Sequence, residues 1–172
     1  MSIINSKIVE LLNFRIKEEE QSNRLYLSMS KWLVFNGYDG AGALWGKYAA
    51  EETTHAGWAY TYLEDLDILP CIPTLEEPKK DFTSLRQICE LSYEHEVKVT
   101  EQCKELAKAA LDEGDYMVFT LSQQYLKEQV EELARQLYWI NKFVAFGESD
   151  TVLQELDKQM EEKANGEDSI LS

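Results

Sequence analysis

The sequence is poor in the residues that punctuate a chain, with 3 prolines and 8 glycines among 172 residues. Loop-rich and disordered classes need more of both, so long regular elements are expected in one domain spanning residues 1–172. Cysteine is scarce as well. Cys71, Cys89 and Cys103 are odd in number and show no Cys-x-x-Cys spacing, which argues against a disulfide framework. The N-terminus lacks a basic segment followed by an apolar run, so the reading is a reducing cytoplasm with no export. No apolar stretch approaches the roughly 20 residues that cross a bilayer, which excludes a membrane partner. Positive charge is the last deficit: 17 basic against 32 acidic residues leave −15. Binding to nucleic acid through phosphate neutralisation is excluded on that balance, and attraction of cations is favoured.

The few helix breakers cluster. Asn36-Gly37 reads as a helix C-terminus and Asp39 as the next N-cap; Pro70, Pro73 and Pro78 share one segment; Gly114 lies within 112–115; Gly147 precedes Ser149-Asp150. The spacing predicts helices near 6–36, 40–69, 83–112 and 115–144, a short fifth helix near 149–163, and a frayed tail, NGEDSILS. Each long segment carries an apolar stripe at alternating three- and four-residue steps, the seam of an all-α four-helix bundle. Short links make the first and second helices, and the third and fourth, antiparallel neighbours. Residues 70–82 form a longer link that reaches roughly 43 Å when extended, close to the roughly 45 Å length of a 30-residue helix. That length lets the chain return to the far end, so the third helix is predicted to run parallel to the second by a crossover.

Polar residues interrupt every stripe near its middle. Glu19 follows Ile8 and Leu12 and precedes Tyr26, Met29 and Leu33; Glu52 and His55 lie between Tyr48 and Ala59; Glu96 lies between Ser92 and Val99; Gln129 and Glu132 lie between Tyr125 and Trp139. Counted at about 1.5 Å per residue from the helix ends, all six fall within about one turn of a common level. Four glutamates in one buried layer would repel, and burial makes their ionisation costly unless cations are present. Carboxylate oxygens with one imidazole suit Fe, Mn or Zn, and so acidic a set can hold two dications with shared carboxylates.

The spaced set Glu19, Glu52-x-x-His55, Glu96 and Gln129-x-x-Glu132, with the phrases LYLSMSKW, AAEETTHA and LKEQVEEL, resembles the bacterial non-haem ferritins over nearly the whole chain. Di-iron carboxylate bundles of that ferritin-like class take glutamates and Glu-x-x-His pairs from their four helices. The resemblance implies that Glu19, Glu52 and His55 hold one iron. It implies that Glu52, bridging, and Glu96 hold the other, with Gln129 or Glu132 completing it. It further implies that Tyr26 supplies an electron or a hydrogen bond beside the pair, and that Glu51, Glu128 and Glu131 form a third iron site.

Departures from related patterns narrow the expectation. Gln129-x-x-Glu132 stands where a bacterioferritin has Glu-x-x-His, and Thr53 where it has the haem-ligating Met, so no haem is expected. Phe119 and Ser122 stand where animal-type ferritins place acidic pore residues. The implied function is iron storage and detoxification: a ferroxidase oxidising Fe(II) with O₂ or H₂O₂ and laying down a ferric mineral inside a homo-oligomeric shell of about 24 subunits, closed by symmetry. A rubrerythrin-like di-iron oxidase or peroxidase is the alternative, but that family usually adds a Cys₄ iron domain and a more symmetric ligand set. A shell-forming bundle without a competent site is the other.

Overall fold

Side chains and glycines at the helix ends set the boundaries of the fold. In the computed structural model, which describes residues 4–166, helices span Ser6–Phe35 (α1), Asp39–Asp65 (α2), Leu85–Asp112 (α3), Tyr116–Phe146 (α4) and Asp150–Asn165 (α5), with no strand among the described residues. Asn5, Ser84 and Asp115 accept hydrogen bonds from the first turns of α1, α3 and α4, satisfying amides that have no helical partner. α1 stops at Gly37, whose φ of 85° suits a residue without Cβ. There the Tyr38 amide donates to the Leu33 carbonyl at 2.9 Å and the Gly37 amide to Val34 at 3.1 Å, the paired bonds of a Schellman end.

Several boundaries differ from the sequence expectation: α3 begins two residues later, at Leu85, and α4 runs two residues further, to Phe146. α2 ends at Asp65 rather than 69, because Asp67 takes a left-handed φ of 56° and the Ile68 amide turns back to the Leu63 carbonyl, a conformation Asp tolerates. Asp39 is the first helical residue of α2 rather than its N-cap, and Tyr38 at the cap makes no side-chain bond. The cap comes from α5: Asp157 accepts the Ala41 amide at 2.8 Å and the Gly40 amide at 3.3 Å, placing a carboxylate at the positive end of the helix dipole. The expected tail yields its first residue, Asn165, to α5, and its residues from 167 onward lie outside the described residues.

The crossover is traced by hydrogen bonds. As the chain advances from Cys71 to Glu76 to Lys79, it bonds successively to Asn13, Gln21 and Ser28 of α1. The loop thus runs along α1 from its N-terminal to its C-terminal half, which returns it to the level where α2 began. α3 then descends beside α1 in the opposite sense, with Met29 at Ser92, Tyr26 at Glu96 and Arg15 at Gln102. α3 is therefore parallel to α2, as the link length predicts.

The stripes bury as expected, from Ile8 to Leu33 on α1, Ala41 to Ala59 on α2, Leu85 to Ala110 on α3 and Val118 to Phe143 on α4. They form two main apolar clusters. One gathers Met29, Leu33, Trp45, Ile88, Trp139 and Phe143, and against it α5 lays Leu156 and Met160. The other gathers Ile8, Leu12, Ile16, Leu63, Leu106 and Val118. Between them lies the polar layer.

α5 seats where α2 has no side chain. A Cβ on Gly40 would collide with the Asp157 carbonyl and approach the Glu161 backbone within 2.9 Å, and backbone cannot step aside as a flexible side chain does. Gly40→Ala is expected to loosen α5 and speed proteolysis at residues 147–149 while the remaining helical content persists. Equal cleavage rates in the two proteins would show that α5 does not depend on this approach.

Candidate metal centre

Four helices each deliver polar side chains to one level of the bundle. Glu19 comes from α1, Glu52 and His55 from α2, Glu96 from α3, and Gln129 and Glu132 from α4; all six are at most 5% exposed. Because residues three apart share a helix face, Glu52 with His55 and Gln129 with Glu132 point into the same space. His55 Nδ1 lies 3.3 Å from Glu52 Oε2, 3.6 Å from Glu132 Oε1 and 4.0 Å from Glu19 Oε2. Glu19, Glu52 and His55 each offer one donor atom, all within 4.8 Å of one another.

Neighbours hold the remaining atoms. Gln129 Nε2 donates to Glu132, and Gln129 Oε1 accepts from Thr100 at 2.8 Å. Tyr26, buried among the same helices, donates its hydroxyl to Glu96 Oε1. Arg15 is buried one turn before Glu19 and pairs with its Oε1 at 2.7 Å. Glu19 Oε2 is buried without a hydrogen-bond partner. That orphaned oxygen, aimed at neighbouring carboxylates and an imidazole, costs free energy while it lacks a partner and is a donor that a cation would satisfy. The set is hard oxygen plus one nitrogen and contains no thiolate, so it fits Fe, Mn or Zn.

The electrostatics are those of a buried layer in which carboxylates outnumber cations. Burial, then the charges of Glu132, Glu19 and Glu96, push the Glu52 carboxyl well above its usual range. Burial, then Glu96 and Glu19, do the same to Glu132. Glu96 is pushed up to about 7, chiefly by burial. Burial also lowers His55, against the opposing pull of Glu19 and Glu128, so its neutral, ligating form is favoured. Protons therefore hold places in the layer that metal ions can take.

The other expected site residues lie beside this layer. Glu51 and Glu128 are partly exposed, and both approach Arg135: its Nη1 donates to Glu51 Oε2 at 2.7 Å, and its Nη2 lies 3.9 Å from Glu128 Oε1. Glu131, also partly exposed, stands one turn from Glu128 on α4. Sequence reasoning missed Arg135, Thr100 and His95. Arg135 and Thr100 follow Glu132 and Glu96 by three and four residues, spacings that put them on the site face. His95 had no such signal: it sits next to Glu96, turns to Ser22 Oγ at 2.7 Å, and burial, then Lys98, push it down to about 4.

The chain is similar to known proteins in both sequence and fold. Residues 9–144 match the Ferritin-like domain family. The chain is 34% identical over 158 residues to a bacterial non-heme ferritin of Escherichia coli O157:H7, covering 92% of this chain and 96% of the relative. It is 36% identical over 146 residues to a bacterial non-heme ferritin of Campylobacter jejuni, covering 85% and 87%. Among solved structures, an open pore ferritin from the hyperthermophilic archaeon Archaeoglobus fulgidus superposes with a TM-score of 0.90 at 34% identity, covering 94% of this chain and 98% of that one.

Burial raises the proton affinity of Glu52, Glu96 and Glu132, so a divalent ion entering the layer competes with protons there. Their raised values mean that the metal-free fold holds more protons than the unfolded chain, so these carboxyls contribute less stability as pH climbs from their ordinary range through the raised one. Metal affinity changes oppositely, strengthening as pH rises. Near neutral pH, Zn(II) binding is expected to release protons, and Glu96→Gln to release fewer. Calorimetry in buffers of different ionisation enthalpy measures the release, and none in either protein would contradict protonated carboxyls in the layer.

Proposed function

The chain belongs to the ferritin family, and from that premise we propose that it is an iron-storing and iron-detoxifying ferroxidase subunit. Two Fe(II) ions are its substrates. Glu19, Glu52 and His55 bind one; Glu52 bridges to the other, which Glu96 holds with Gln129 or Glu132. The observation that carries the reading is the buried layer itself, six metal-competent side chains from four helices around an unpaired Glu19 oxygen.

The chemistry follows from the donors. Hard carboxylates stabilise Fe(III) more than Fe(II), lowering the potential of the bound ions. Two adjacent Fe(II) ions give up one electron each, which together with two protons reduce O₂ to H₂O₂, or H₂O₂ to two waters. Tyr26, bonded to Glu96, is placed to orient that carboxylate or to supply an electron. Iron leaving the pair passes to a third position at Glu51, Glu128 and Glu131, and Fe(III) is then laid down as mineral inside a cytoplasmic shell of about 24 copies, since closed symmetry is the usual homo-oligomeric outcome. No haem takes part. Among the described residues, no helix is long and apolar enough to cross a membrane.

The two positions are unequal, because a single imidazole serves the pair. Glu52→Ala is expected to abolish the fast phase of Fe(II) oxidation in stopped flow while the bundle stays folded, since losing one carboxylate relieves repulsion in the metal-free state. A full fast phase would remove Glu52 from its bridging role. In His55→Ala crystals soaked anaerobically with Fe(II), one metal position is expected to fill rather than two; two filled positions would count against His55 as a ligand.

A further inference from the structure

Arg135 is a buried cation that the two-metal layer does not require. It lies three residues beyond Glu132 on α4, and its side chain is 9% exposed against 26% for Glu51 and 29% for Glu128. Its guanidinium is held on several sides: Nη1 donates to Glu51 at 2.7 Å, Nη2 lies 3.9 Å from Glu128, and Cζ sits 5.6 Å from the centroid of the Tyr48 ring. Glu128 Oε1 is in turn 3.9 Å from His55 Nε2. A continuous line of charged and polar groups, Glu51, Arg135, Glu128 and His55, therefore leads from the partly exposed acidic face to the central layer.

The oxygens that Arg135 engages are those that the third iron position would use. A guanidinium and a metal ion cannot both occupy the space between Glu51 and Glu128. The guanidinium keeps its charge at every ordinary pH, so protons cannot vacate the position, and only a more strongly attracted cation can. Attraction to the two carboxylates grows with ionic charge, which favours a trivalent ion over a divalent one as the displacing species.

We propose that Arg135 is a specificity-determining latch: as a built-in cation it closes the Glu51–Glu128 position to Fe(II) from solution and yields it to Fe(III) formed at the central pair. This rests on the two-iron reading above and adds a direction to it. Iron reaches the third position from inside, after oxidation, because the ion that arrives from outside carries too little charge to displace the arginine.

Anaerobic calorimetric titration with Zn(II) on the intact assembled protein tests both levels separately. The unmodified protein is expected to bind two ions per subunit tightly, with any third ion much weaker. In Arg135→Gln the first two remain, and a third binds at least about tenfold more tightly than in the unmodified protein, the order expected from releasing a charge-assisted hydrogen bond. Third-ion binding equal in the two proteins, or absent from both, would overturn the latch. Failure of the first two ions to bind either protein would instead overturn the two-metal reading. Crystals of the unmodified protein soaked with Tb(III) provide a test that does not depend on the variant's folding. An ion between Glu51 and Glu128 with Arg135 swung off Glu51 is the expected result, whereas an ion there with the Arg135–Glu51 pair intact would refute displacement.

Discussion

Carboxylates crowded into an apolar bundle repel one another and lose the water that would stabilise their charge, and the rest of this structure is arranged around that conflict. Glu19, Glu52, Glu96 and Glu132 share one level between two apolar clusters. Within the fold the conflict is eased piecemeal: burial and like charge push Glu52 and Glu132 toward their protonated forms, Arg15 pairs with Glu19, and Tyr26 donates to Glu96. Each of these substitutes holds a single oxygen or a single charge. Two dications would satisfy the whole layer at once, which is why affinity for metal is the natural consequence of so costly a core.

The two buried arginines divide the neighbourhood between them. Arg15 takes one oxygen of Glu19 and leaves the other without a hydrogen-bond partner among the neighbouring carboxylates. Arg135 reaches across from the opposite hairpin, pairing with Glu51 of α2 and lying beside Glu128 of α4 at the edge of the layer. One positive charge braces Glu19 within the central layer, and the other lies at its edge. Neither is interchangeable with lysine, because only a planar guanidinium presents several fixed donors.

The scaffold brings these groups to one level by simple means. Two antiparallel hairpins each align the middles of their helices, and the proline-bearing crossover, tied to Asn13, Gln21 and Ser28, makes α3 parallel to α2. Without that return, Glu96 would enter the bundle from the wrong direction relative to Glu52. α5 takes a supporting part: Asp157 closes the open amides at the start of α2, and the absence of a side chain at Gly40 lets the helices meet.

Much of this was legible in one dimension. Periodic stripes located four long helices, the length of the second link selected a crossover, and the interruption of each stripe picked out Glu19, Glu52, His55, Glu96, Gln129 and Glu132, because a helix repeats its faces at a fixed interval and a polar residue on the buried face is conspicuous. What only the tertiary structure decided were pairings between distant segments. Asp39 had the right chemistry for an N-cap, yet the capping carboxylate is Asp157, more than a hundred residues away. The resemblance implied a third iron site at Glu51, Glu128 and Glu131, but no local signal paired the guanidinium of Arg135 with Glu51 and Glu128. Local sequence specifies helical phase through steric and hydrogen-bonding rules that act over a few residues. Which charge meets which across the bundle depends on the relative placement of whole helices, and no local rule carries that information.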